Sequence, residues 1–181
     1  MTIKEAVALI SKGVYGAGKP QKWVDLGCGS GTFTRALADI LPYESQILAV
    51  DQSIQHLEKT MGNSVSVDFL HADFERTDLG LLNLDGILLA NSLHYVKDKK
   101  ALVSRLEKYL STDKRFLIVE YDSLSANQWV PYPIDFIRLK ELFTQLNYNK
   151  VVKLSEQKSV YGRGNIYAAS ILPTSQKATP P

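Results

Sequence analysis

Trp23-Val24-Asp25-Leu26-Gly27-Cys28-Gly29-Ser30-Gly31-Thr32 is the stretch that decides the fold. A short apolar run with strand character feeds into three glycines at alternate positions. A helical pattern starts at once: Phe33, Leu37, Ile40 and Leu41 share one face, and Pro42 stops it. Glycine lets the backbone turn tightly and lets a ligand approach the main chain without meeting a Cβ. The helix behind it offers unpaired N–H groups to a polar ligand. The stretch therefore predicts a nucleotide-like ligand lying across the end of a parallel sheet.

The rest of the chain repeats this strand-then-helix rhythm. Ile3, Ala6, Val7 and Ile10 recur at helical spacing, with Thr2 and Glu5 placed as a capping box. Residues 22–26, 47–50, 65–70, 84–90 and 116–119 read as strands. Helical patterns cover residues 53–60, the face of Leu102, Val103, Leu106 and Leu110, and the face of Phe136, Leu139, Phe143 and Leu146. Residues 150–154 and 166–172 read as two final strands joined by a turn containing Gly162 and Gly164. Five strand–helix alternations predict an α/β fold with a parallel sheet, right-handed crossovers and helices on both faces. The last pair predicts one antiparallel strand at the C-terminus. The expectation is a single-domain, Rossmann-like three-layer sandwich over residues 1–173, followed by a tail over 174–181 without periodicity and expected to be disordered.

Composition narrows the functional classes. The chain has 181 residues, 45% of them hydrophobic and 22% charged, with a net charge of +2. That balance gives no electrostatic reason to expect a nucleic-acid or membrane partner. Cys28 is the one cysteine in the sequence, which suits a reducing compartment, and no apolar run is long enough to span a bilayer. The N-terminus lacks a signal-peptide pattern, so the expected location is cytoplasmic. His56, His71 and His94 have no metal-ligand spacing, and no metal is expected. Gly13, Gly18 and Lys19 imitate part of a phosphate-binding loop, but the segment follows a helix and ends in Pro20, so it reads as a connector.

Glycines at 27, 29 and 31 give G-x-G-x-G, whereas a dinucleotide site favours G-x-G-x-x-G/A. Asp25, just before the first glycine, would suit a ligand carrying a cationic amine rather than a pyrophosphate. Asp25-Leu26-Gly27-Cys28-Gly29-Ser30-Gly31 resembles the first motif of class I S-adenosylmethionine-dependent methyltransferases, and the element order resembles that fold's seven-stranded sheet. More narrowly, Asn91–Tyr95, Glu120-Tyr121 and Asn127-x-Trp129-Val130-Pro131-Tyr132-Pro133 are similar to a group of small bacterial methyltransferases. The resemblance implies S-adenosylmethionine as cofactor, methyl transfer as activity and S-adenosylhomocysteine as product. It places Asp25, Gly27, Cys28, Gly29, Gly31, Asp51, Gln52, Asp73, Phe74 and Asn91 at the cofactor. Asp51 would sit on the ribose hydroxyls and Asp73 near the adenine amino group.

The residues support that placement independently. A carboxylate at the end of the second strand can accept two hydrogen bonds from a vicinal diol; the alternative for Asp51 is a helix N-cap. Asp73 can also be an ordinary turn carboxylate, and Phe74 either stacks on adenine or belongs to the core. His94 is the candidate general base, with a packed loop histidine as the alternative. Tyr95 would orient the acceptor or pack against adenosine. Tyr121, Asn127, Trp129 and Tyr132 are candidate acceptor contacts, the last three on a loop that can also be a proline-stiffened connector. Some twenty residues precede the first strand, so the acceptor pocket would be open, closed by residues 124–134, or completed by a second subunit in a homodimer. The expected acceptor is a small molecule. Asn91-Ser92-Leu93-His94 lacks the Asn/Asp-Pro-Pro-aromatic pattern of nucleic-acid amino methylases. The competing readings are an NAD(P)-dependent oxidoreductase, a non-enzymatic S-adenosylmethionine-binding protein, and a methyltransferase acting on protein or RNA.

Overall fold

The computed structural model describes residues 1–14, 18–111, 115–159 and 164–172. The elements run α1 (Ile3–Ile10), β1 (Lys22–Leu26), α2 (Thr32–Ile40), β2 (Gln46–Asp51), β3 (Thr60–Met61), β4 (Val65–His71), β5 (Gly86–Ala90), α3 (Lys99–Leu106), β6 (Phe116–Tyr121), α4 (Phe136–Gln145), β7 (Lys150–Lys158) and β8 (Asn165–Leu172). They form one sheet in the order β3-β4-β2-β1-β5-β6-β8-β7. The pairings β4–β2, β2–β1, β1–β5 and β5–β6 are parallel, whereas β3–β4, β6–β8 and β8–β7 are antiparallel. The chain leaves β1, builds outward through β2 and β4, then returns to β5 on the other side of β1. That reversal opens a crevice at the C-terminal ends of β1 and β5, where ligands of open α/β sheets bind.

Side-chain alternation assigns the two faces. Val24, Leu26, Ile87, Leu89, Phe116 and Ile118 point to the layer of Leu102, Val103, Leu106, Leu139 and Phe143, on α3 and α4. Trp23, Leu88, Leu117 and Val119 point to the layer of Ala6, Leu9, Phe33, Ala36 and Leu37, on α1 and α2. The α1 capping box forms as expected: Thr2 N–H donates to Glu5 Oε2 at 2.7 Å, and Glu5 N–H donates to Thr2 Oγ1 at 3.3 Å. Gly86 lies opposite Trp23 on the neighbouring strand, and a Cβ there would come within 2.4 Å of the buried indole. The glycine is therefore a steric recess for the tryptophan.

Two expectations need correction. The sheet has eight strands, not seven, because Thr60–Met61 adds a short edge strand antiparallel to β4. Residues 53–60 are not a helix. Ser53 N–H instead donates to Asp51 Oδ1 at 2.8 Å, and the Lys59 carbonyl accepts Val67 N–H at 2.9 Å. Ile54 is exposed while Leu57 sits over Gly31, so the segment lacks the continuous buried stripe that would hold a helix. Gly162 and the tail over 174–181 lie outside the described residues. Among the described residues, no helix is long and apolar enough to cross a membrane.

Asp25 is fully buried in the middle of β1, facing α2. Thr34 Oγ1 donates to its Oδ2 at 2.7 Å, and its Oδ1 is buried without a partner. Burial pushes its carboxyl up from 3.8 to about 7, partly offset by the Thr34 bond and reinforced by the negative charge of Asp51. Between those two values the unfolded chain has lost the proton that the native chain keeps. Native stability therefore falls as pH rises through that window, by up to about 1.4 kcal/mol per pH unit. Asp25→Asn is expected to remove this slope, so that urea unfolding shows the variant gaining on the natural chain from pH 4 to 7. Parallel pH profiles for the two proteins would refute it.

Candidate functional site

The loop after β1 is tied to the end of β2. Gly27 and Cys28 N–H both donate to the Val50 carbonyl, at 2.8 and 3.1 Å, and Gly29 N–H donates to Asp51 Oδ2 at 2.8 Å. Gly27, Gly29 and Gly31 all adopt positive φ, at 77°, 49° and 83°. Their open faces differ. A Cβ on Gly27 would lie 2.5 Å from Ser92 Cβ, and one on Gly31 would lie 2.6 Å from Leu57 Cδ2. A Cβ on Gly29 would meet nothing within 4 Å. Gly29 is thus the glycine that leaves backbone open to a ligand, while Gly27 and Gly31 serve packing. Gly31 also accepts Arg35 N–H at 2.9 Å and begins α2.

A cavity of about 820 Å³ lies over this loop. The expected residues Gly27, Cys28, Gly29, Asp51, Gln52, Asp73, Phe74, Asn91, Tyr95 and Tyr121 all line it. Asp51 stands at its centre, each carboxylate oxygen already accepting one backbone N–H, from Gly29 and from Ser53. Each oxygen retains lone-pair capacity toward the cavity. Asp73 closes the turn beyond β4, its Oδ1 accepting Glu75 N–H at 2.9 Å. The charged side chains of the described lining are Asp51, Asp73 and Glu75 against Arg76. That excess of carboxylates suits a cationic ligand better than a pyrophosphate. Asn91 has φ 54° and a buried Oδ1 with no partner, an acceptor placed for a donor such as an ammonium group. Burial pushes the Cys28 thiol up to about 12, reinforced by Asp25 and Asp51, so it is a packed wall rather than a nucleophile.

A second cavity of about 950 Å³ adjoins the first, and Asn91, Tyr95 and Tyr121 line both. His94, Asn127, Trp129 and Val130 complete much of its wall. His94 is 2% exposed and Glu120 1%. Glu120 Oε2 sits 2.7 Å from His94 Nδ1, and Glu120 Oε1 accepts the His94 backbone N–H at 3.1 Å. In the tautomer that donates Nδ1–H to Glu120, Nε2 is the unprotonated ring nitrogen. Glu120 ends β6 and His94 follows β5, so parallel pairing of those strands brings the two together. The sequence shows both residues but not their pairing, which depends on strand adjacency.

Three expected contacts are placed elsewhere. Asp25 does not line the cavity: strand alternation turns it under α2, where Thr34 holds it. Gly31 likewise stays outside, covered by Leu57. Tyr132 lines neither cavity; its N–H donates to the His94 carbonyl at 2.9 Å and its own carbonyl accepts Lys99 Nζ at 2.7 Å. Lys99 Nζ also donates to the Val96 carbonyl at 2.8 Å, latching this loop to the His94 turn. Asn127 does border the second cavity, but its Oδ1 accepts Trp129 and Val130 N–H and closes a turn. Among the described residues, no group of three or more His, Cys, Asp or Glu is placed to hold a metal ion.

Comparisons with known proteins bear on the family and the fold. A family model described as a methyltransferase domain matches residues 24–113, which carry the glycine loop, Asp51, Asp73 and Asn91–Tyr95. Phosphoethanolamine N-methyltransferase 1 of Triticum aestivum is 30% identical over 105 residues, 56% of this chain and 21% of that protein. An uncharacterized methyltransferase of Mycobacterium tuberculosis is 28% identical over 108 residues, 59% of this chain and 54% of its own length. The match thus spans well under two thirds of either relative. Among solved structures, the 1,6-didemethyltoxoflavin-N1-methyltransferase of Burkholderia thailandensis superposes with a TM-score of 0.70 at 21% identity, covering 96% of this chain and 78% of that one. A plantazolicin methyltransferase in complex with S-adenosylhomocysteine gives 0.63 at 12% identity, over 95% and 83% of the two chains. With the motif, the sheet order and the matched segment in agreement, the chain belongs to the class I S-adenosylmethionine-dependent methyltransferase family.

Proposed function

We propose that the chain binds S-adenosylmethionine in the first cavity and passes its methyl group to a small-molecule nucleophile in the second. The observation that carries this reading is that the two cavities are neighbours, with Asn91, Tyr95 and Tyr121 lining both. Bound S-adenosylmethionine supplies an electrophilic methyl on a cationic sulfur. The chain supplies position and exclusion of water. Asp51 offers both oxygens to the ribose diol, and Gly29 lets the ligand lie against the backbone. Asp73 and Phe74, which line the same cavity, would hold the adenine, the carboxylate accepting from its amino group and the ring packing on the base. The orphaned Asn91 oxygen accepts from the ammonium group. Holding the two reactants in contact supplies most of the acceleration in such a displacement.

His94 Nε2 takes the proton of the acceptor as the new bond forms. Glu120 positions the ring and balances the imidazolium that results. The relatives' names support a small acceptor: the Burkholderia structure holds 1,6-didemethyltoxoflavin, and the wheat relative is named for phosphoethanolamine. The carboxylate-rich lining speaks against the nicotinamide reading, because a pyrophosphate would meet like charge.

Asp51→Ala is expected to weaken S-adenosylhomocysteine binding by about 1–3 kcal/mol in calorimetric titration. Equal affinity would take Asp51 out of the site. Gly27→Ala and Gly29→Ala separate packing from binding: the first lowers thermal stability through its collision with Ser92, and the second lowers ligand affinity while losing less stability. His94→Ala is expected to reduce turnover by about 10²–10⁴-fold with S-adenosylhomocysteine affinity retained. A rate equal to the natural protein's would show that no base is needed, or that it lies elsewhere.

A further inference from the structure

The second cavity narrows the chemical class of the acceptor. Its wall is built around rings: Tyr95, Tyr121 and Trp129 share it with His94. The His94 ring centroid lies 4.4 Å from that of Tyr95 and 6.0 Å from that of Tyr121, tilted by 47° and 45°. The imidazole ring therefore sits in an aromatic corner. Trp129 is 69% exposed and Tyr95 51%, so both present ring surface that an occupant can cover. The described lining carries no Lys, Arg, Asp or Glu, unlike the first cavity with its three carboxylates and Arg76. Glu120 lies behind His94, engaged by both its ring and its backbone N–H.

We propose that the acceptor is a neutral, flat aromatic or heteroaromatic compound methylated on a protonated oxygen or nitrogen, an inference that rests on the methyl-transfer reading of the site. A phosphate, carboxylate or ammonium on the acceptor would meet neutral amides and hydroxyls but find no ionised partner in the described wall. A flat ring finds offset and edge contacts with three aromatic side chains. The imidazole gives the second half of the class. A thioether or an already ionised acceptor has no proton to give, whereas a hydroxyl or ring N–H does. In the transfer, the acceptor's O–H or N–H proton passes to His94 Nε2 and its electron pair forms the bond to the methyl carbon. The carbon–sulfur bond breaks and its pair remains on sulfur, so the sulfonium charge reappears as imidazolium beside Glu120. No oxidant or further reactant is needed.

The test uses the full chain saturated with S-adenosylhomocysteine and ligand-observed saturation-transfer NMR. The probes are naphthol, hydroxyquinoline and hypoxanthine against phosphoethanolamine, malonate and butylamine. Saturation transfer to the aromatic set alone, weakened about tenfold in affinity by Trp129→Ala, is the expected result. Calorimetry on the same variant is expected to show natural affinity for S-adenosylhomocysteine, because Trp129 lines only the second cavity of the two. Binding of the charged aliphatic set, or no binding of the aromatic set, overturns the proposal, as does aromatic binding indifferent to Trp129→Ala. Failure of the natural chain to bind S-adenosylhomocysteine overturns the methyl-transfer reading instead, which the calorimetry reports separately.

Discussion

The glycine loop is held by the strand beside it, and the site depends on that bond set. Val50 accepts two successive N–H groups from Gly27 and Cys28, and Asp51 accepts a third from Gly29. Three positive-φ glycines in five residues adopt these conformations without strain but leave the loop much freedom to lose on folding. The parallel pairing of β1 with β2 supplies the acceptors that hold them. The floor of the cofactor cavity is therefore a property of two strands together, placed where the chain reverses its direction of sheet building.

Asp51 braces that loop and lines the cavity with the same carboxylate. One oxygen is fixed by Gly29 and the other by Ser53, so the group arrives in the cavity with its orientation settled before any ligand enters. Preorganisation of this kind reduces the ordering cost of binding. The helix absent over residues 53–60 has a different cause: Ile54 is exposed, Leu57 is spent on covering Gly31, and Thr60–Met61 pairs at the sheet edge.

The opposite side of the switch point follows a different logic. There the ends of β5 and β6 bring a buried histidine against a buried glutamate, with both carboxylate oxygens engaged by His94. A buried carboxylate is tolerable when each oxygen has a donor. Lys99 and Tyr132 latch the following loop onto the same turn, which keeps the aromatic wall near the imidazole. One cavity is rich in carboxylates and the other rich in rings, so a charged donor and an uncharged acceptor would each find a matching environment.

The sequence by itself determined the layers and which strand ends gather around the first cavity. Period-2 and period-3.6 apolar patterns locate strands and helices, because burial on one face leaves a trace in each segment. Glycines at alternate positions and acids at or just past strand ends are likewise local signals, and Gly29, Asp51 and Asp73 line one cavity. What only the tertiary structure decided is every feature that depends on which strand lies beside which. Asp25 reads as a ligand contact until the alternation of β1 turns it under α2 to meet Thr34. Gly31 reads as ligand-facing until Leu57 folds over it, and Tyr132 reads as an acceptor contact until Lys99 claims its carbonyl. Glu120 and His94 stand 26 positions apart, with no periodicity linking them. Their pairing exists because β5 and β6 are neighbours in the sheet, and strand adjacency is a long-range property that no local pattern encodes.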